Sequence, residues 1–261
     1  MKKLIALLAL VFHLPVATHA GDNKHVDTAT WVGHVESLRN LRNDILGCEA
    51  YDAKLVREYF LHVKPQDDIE DLQWITLGLT AYGETKDMPI LEKFVKKLAL
   101  LGEGRTTNRE IELLEAFKFI PLARGADQKA MKKILSFNGE DAVFLLRLVR
   151  TFEARDALAK IASDDKESFS VRCKAIESLK QLGDNRAIEI TLTPNFIKTL
   201  LESDGYLPKF MSELTGKEDG EIESLTSFEK AQDWVKKNNF KIKPPEEKIS
   251  VKGGVDWSKM K

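Results

Sequence analysis

The sequence predicts an all-α chain, an α-solenoid of four to five antiparallel helix pairs, and three observations carry that prediction. Apolar residues recur at intervals of three and four over most of the 261 positions. The helical runs come two by two, separated by short turns marked with Gly or Asp. Runs that alternate apolar with polar residues, the pattern of a half-buried strand, are scarce, and Ile188-Glu189-Ile190-Thr191-Leu192 is the one short exception.

Before the pairs begin, Lys2 and Lys3 precede an apolar run from Leu4 to Leu14 interrupted only by His13, and small residues follow up to Ala20. This is the organisation of a secretory leader cut after Ala20, so residues 1–20 are expected to be removed and the mature chain exported, most simply to a periplasm. The run is shorter than the roughly 20 apolar residues of a membrane span, and no membrane insertion is expected of the mature chain. Residues 21–30 are polar and predicted loose. Trp31, Val35, Leu38, Leu41 and Ile45 then form one helical stripe, and Leu55, Tyr59 and His62-Val63 form another.

From Ile69 the pattern becomes pairwise. Ile69 to Tyr82 and Met88 to Leu101 flank Gly83, with Pro89 in the first turn of the second helix, where its missing N–H costs nothing. Asn108 to about Ile120 should end or kink at Pro121, and the turn Arg124-Gly125-Ala126-Asp127 leads to Lys129 to Phe137. Asp141 to Phe152 with Ala154 to Ala162 make a third pair, turning near Glu153, and Ser170 to Leu182 with Arg186 to Leu192 make a fourth. Pro194 closes the Ile188 exception, and helices over Asn195 to Glu202 and Leu207 to Leu214 suggest a degenerate fifth pair. Thr215 to Gly220 reads as a loop, and Ser227 caps a last helix, Phe228 to Asn238. The solenoid is thus expected over 31–240, and residues 241–261, with Pro244-Pro245 and an isolated Trp257, read as an extended or disordered tail.

One segment spells the repeat out. Val171-Arg172, Ala175, Ser178-Leu179, Leu182-Gly183-Asp184 and Ala187 resemble, at matching spacing, the short HEAT-like (armadillo-type) repeats of bacteria, with Ser178 in place of the usual alanine. The physics of the pattern is legible. Ala175, Ser178 and Ala187 let two helices approach, Leu179 and Leu182 fill the seam, Gly183 takes the left-handed conformation that stops the first helix, and Asp184 caps the second. The resemblance implies a right-handed superhelix that binds other proteins through its surface. Glu213-Leu214-Thr215-Gly216-Lys217 followed by Trp234 looks like the closing segment of exported HEAT-type proteins, a cap for the open end. Trp74, Leu77, Gly78 and Tyr82 also come close to the opening of a tetratricopeptide repeat, with the tyrosine one residue late.

Signatures of chemistry are thin. His25, His34 and His62 form no zinc-ligand spacing, and no phosphate loop, dinucleotide fingerprint or nucleophile elbow occurs, so neither a metal nor a cofactor is expected. Glu177-Ser178 carries the one enzymatic alternative, an envelope protein that acts on or binds peptidoglycan or another carbohydrate through a carboxylate, since such an acid needs an apolar cleft to raise its pKa. Trp74, Tyr82 and Phe119 would line a cavity if the superhelix held a small molecule. Cys48 and Cys173 lie about 125 positions apart, too far to meet if each repeat touches only its neighbours, and are expected to be free.

The formal net charge of −1, slightly more negative without Lys2 and Lys3, gives no electrostatic reason to expect nucleic acid as a partner. What the charges do offer is local. Lys93, Lys96 and Lys97, then Lys129, Lys132 and Lys133, fall on the second helices of successive pairs and predict a basic ridge, with Asp67-Asp68 and Glu70-Asp71 as an acidic counterpart upstream. The expected function is non-catalytic protein binding, by a monomer acting as adaptor or scaffold.

Overall fold

The computed structural model describes residues 24–26, 53–62, 69–101, 107–202, 206–215, 227–239, 242 and 249–251. The predicted leader, the Trp31 to Ile45 stripe, Cys48, the loop from Gly216 to Gly220 and Trp257 lie outside them. The described chain is all-helical apart from two short strands, β1 (Lys24–Val26) and β2 (Ile249–Val251), which pair in parallel with Lys24 opposite Ile249 and Val26 opposite Val251. The sequence reading foresaw no such pairing in either stretch. Contacts gather the chain into two compact units, residues 1–150 with 245–261, and residues 151–244, so the 31–240 stretch contains the division between them.

The first unit holds α1 (Ala53–His62), α2 (Ile69–Tyr82), a 3-10 turn (Thr85–Asp87), α3 (Met88–Leu101), α4 (Asn108–Ala116), α5 (Phe119–Arg124), α6 (Gln128–Leu135) and α7 (Gly139–Val149). Its centre is α2, against which α1, α3, α5 and α7 all pack. Every residue from Leu72 to Tyr82 is buried. A helix without a polar stripe has no face to give to water, and this one belongs inside. Its two threonines cost little there, because their hydroxyls donate to carbonyls one turn back, Thr76 to Leu72 at 2.6 Å and Thr80 to Thr76 at 2.7 Å. Gly78, part of the tetratricopeptide echo, has a local reason: a Cβ there would lie 2.3 Å from the Phe60 ring, which α1 brings edge-on to Trp74 with centroids 5.3 Å apart.

Two side chains lock this arrangement. Arg57 on α1 makes a two-pronged pair with Asp87 in the 3-10 turn, both bonds at 2.6 Å and both residues buried. Arg124, at the end of α5, reaches the C-termini of α2 and α7 together: its guanidinium donates to the carbonyls of Gly83, Ala81 (2.7 Å) and Thr80 (3.2 Å), and to those of Leu148 (2.8 Å) and Val149 (3.4 Å). Burial, and then the charge of Arg150, push its pKa down to about 10, which leaves it a cation at neutral pH.

The helix expected from Asn108 to about Ile120 ends at Ala116, four residues early, and breaks at Phe117-Lys118. Pro121 lacks an N–H and is tolerated in a first turn, so the chain closes one helix early with bonds of the i to i−3 type and opens α5 with Pro121 third. In the turn that follows, the left-handed residue is Ala126 (φ 68°) instead of Gly125 (φ −78°). The third expected turn is also displaced. Helix α7 ends at Val149, Arg150 adopts φ 64°, Thr151 caps the next helix by accepting from Ala154 N–H, and Phe152 begins that helix, 74% exposed. Phe152 therefore belongs to the following element and not to the apolar run before it.

The second unit holds α8 (Phe152–Ser163), α9 (Phe169–Gln181), α10 (Arg186–Thr191), α11 (Pro194–Glu202), α12 (Tyr206–Thr215) and α13 (Phe228–Asn238). Helix α8 packs on α9 and α10, while α11 packs on α10, α12 and α13. The alternation over Ile188 to Leu192 is helical, with Ile188, Ile190 and Thr191 buried and the Thr191 hydroxyl bonded to the Ala187 carbonyl at 2.7 Å. Five residues are too few to separate the two periods. Pro194 accordingly does not terminate a strand; it opens α11, where its fixed φ suits the first helical position.

Ala126→Gly is expected to raise stability by about 1 kcal/mol, because a left-handed non-glycine residue costs on that order; urea denaturation will show it, and a loss would mean the side chain packs. Arg124→Met should cost about 3 kcal/mol or more, since carbonyls at two helix ends lose a charged donor. A third expectation concerns pH. Burial works to raise the Asp87 pKa, but the Arg57 bonds and the Glu84 N–H outweigh it and hold the carboxyl below its usual range. A native value below the unfolded one, near 3.9, stabilises the fold at higher pH, and that contribution drains away as pH falls from about 4 through the native value. Urea midpoints should fall more steeply with acidification for the natural chain than for Asp87→Asn; equal slopes would deny the pair this role.

Candidate functional site

Helix α3 turns Leu91, Val95 and Leu98 inward, and α6 turns in Ala130, Met131 and Ile134. Laid over one another, the two helices repeat: Lys93, Lys96 and Lys97 stand to Val95 and Leu98 as Lys129, Lys132 and Lys133 stand to Met131 and Ile134. Once the same two positions are buried, helical geometry sends both lysine triplets outward in the same way. Lys93, Lys96, Lys129, Lys132 and Lys133 are exposed and Lys97 is half-buried. The triplets do not share a helix pair. Helix α3 rests on α2 and α4, whereas α6 rests on α5 and α7, and α2 and α5 touch beneath them.

Exposed leucines accompany the lysines. Among the described residues six large apolar side chains are exposed, and four of them lie on these two helices: Ile90 (39%), Leu100 (70%), Leu101 (45%) and Leu135 (46%). An exposed apolar cluster is uncommon enough on a folded chain to mark a surface that touches something else. Sequence periodicity missed it, because Leu100 and Leu101 simply continue an apolar run. The Lys133 ammonium sits 5.8 Å from the Phe137 ring centroid. The side chains of the predicted acidic counterpart, Asp67 to Asp71, lie outside the described residues.

Elsewhere the predicted residues hold the fold together. Arg172 is buried on α9, where it donates from Nε to the Ala162 carbonyl at 3.0 Å, pairs with Asp165 at 2.9 Å and lies over the Phe196 ring at 5.1 Å. Ala175 and Leu179 are fully buried, Leu182 nearly so, and Gly183 takes φ 69° as its place in the turn requires. Asp184 accepts from the Arg186 N–H at 3.0 Å, one position further out than a standard cap, since Asn185 intervenes. Arg186 also reaches Asp156 at 2.6 Å. These residues seat helix ends.

Glu177 is half-buried on α9, His62 is exposed with Nδ1 2.7 Å from the Glu58 carbonyl, and no group of metal-ligating side chains occurs among the described residues. Trp74 and Tyr82 are core residues, and Arg150 lies 4.7 Å over the Tyr82 ring. No described helix is long and apolar enough to cross a membrane. Cys173 is free and buried; burial, then the Glu177 charge, push its thiol up to about 12. In a Cys48→Ser variant, Cys173 is therefore expected to stay unreactive toward thiol reagents at neutral pH until urea unfolds the second unit. Rapid reaction in the native state would show that α9 opens. Comparison of the chain with protein-family models, with curated proteins and with solved structures returns no match.

Proposed function

We propose that this protein is a non-catalytic scaffold or adaptor of the cell envelope, a HEAT-like solenoid exported by its leader, which binds another protein through the surface of its repeats. The repeat segment around Gly183 and the ordered sequence of short helices support the architectural part. One observation carries the binding part: six lysines in repeated register stand beside four exposed apolar residues on α3 and α6. A chain with a net charge near zero gains nothing for its own fold from such a face. Repeat proteins bind over extended surfaces built from equivalent positions of successive units, and these two helices offer equivalent positions.

The test is mild crosslinking of the tagged mature protein in its own cells, followed by co-purification and quantitative mass spectrometry. A single protein enriched near stoichiometry, and lost when Lys93, Lys97 and Lys132 are each changed to Glu, is the expected result. Absence of any enriched protein would remove the adaptor reading and redirect attention to glycans and small molecules.

A further inference from the structure

We infer that the lysine-bearing outward sides of α3 and α6 receive an acidic segment of one partner protein in which carboxylates alternate with apolar side chains, an inference that rests on the scaffold reading. The first argument is charge bookkeeping. Four arginines that serve the fold meet acids within it: Arg57 pairs with Asp87, Arg109 with Asp141, Arg172 with Asp165, and Arg186 with Asp184 and Asp156. Lys93, Lys96, Lys129 and Lys132 make no ion pair among the described residues, and the only acid on either helix is Glu92. Like charges at i, i+3 and i+4 destabilise a helix by a few tenths of a kcal/mol per pair, and this cost is incurred twice in the same register. Carboxylates supplied from outside would reverse its sign.

The second argument is the mixture. Leu100, the most exposed of the four, stands one turn beyond Lys96 and projects on the same side of α3 as Lys93 and Lys96, opposite its buried residues. Exposed apolar groups set among charges are usual in protein interfaces, which mix apolar and polar contacts. An anionic bilayer fits less well. A helix lying in a membrane surface segregates its apolar face from its charges, whereas here they interleave. The exposed apolar residues of these helices, Ile90, Leu100, Leu101 and Leu135, include no aromatic anchor.

Carbodiimide treatment of cells expressing the full chain joins lysine amines directly to carboxylates in contact with them. The expected products link Lys96 and Lys132 to Asp or Glu of one partner protein, within a segment bearing apolar residues three or four positions away. A Leu100→Ser, Leu135→Ser double variant keeps every lysine and changes only exposed positions; its crosslink yield should fall about tenfold, with helicity unchanged by circular dichroism. Undiminished yield in that variant would overturn the inference. So would a partner that crosslinks only through other faces, although the scaffold reading would then survive. Flotation of the protein with phosphatidylglycerol vesicles, without lysine crosslinks to protein, would assign the face to lipid instead, and no product of either kind would remove both readings.

Discussion

Everything in the first unit depends on where the carbonyls of two helix ends go. The last four C=O groups of a helix have no partner within it and carry the negative end of its dipole. When α2 and α7 end beside each other inside the protein, water is excluded from both sets at once. Arg124 resolves this with one guanidinium that spans Ala81, Gly83 and Leu148. Because α2 is the helix on which the others lean, the position of α5, which delivers that guanidinium, is set by the ends it must reach. Arg150, stacked on Tyr82, adds a second cation to the same negative region.

The second unit solves the same problem with a different residue. Arg172 comes from α9 and reaches back to the Ala162 carbonyl in the last turn of α8, while Asp165 neutralises it and Phe196 covers it. This arginine follows Val171 near the start of α9, a position that looks solvent-facing in sequence. Its burial is compatible with arginine here: a long stem crosses to the previous helix, and a planar head serves a carbonyl and a carboxylate together.

Local chemistry made much of the fold legible, and distance hid the rest. Gly183 and Ser227 announce a helix end and a helix start because the residue itself supplies the geometry, and Met88 to Leu101 is written in its apolar spacing. Thr107 and Glu110 were equally readable, a capping box in which each serves the other's backbone, with the Thr107 N–H 2.6 Å from Glu110 Oε2. The turn over Arg124 to Asp127 was readable, but not that Ala126 would be its left-handed residue, nor that the next turn would fall at Arg150, since neither residue favours φ near 65°. Nothing local pairs Arg57 with a residue 30 positions away, or aims Arg124 at α7. At the candidate site the lysine spacing was visible, while the exposure of Leu100 and Leu135 depends on which neighbours fail to cover them.

The pairing of β1 with β2 gives the chain an order of assembly. The first unit owns both the earliest described residues and the latest, so the whole second unit is threaded into its sequence as an insertion. In a simple linear array each repeat completes itself on the one before and can mature as it emerges. Here Lys24–Val26 must wait, unpaired, until Ile249–Val251 has been made, so the first described strand is completed only by the last.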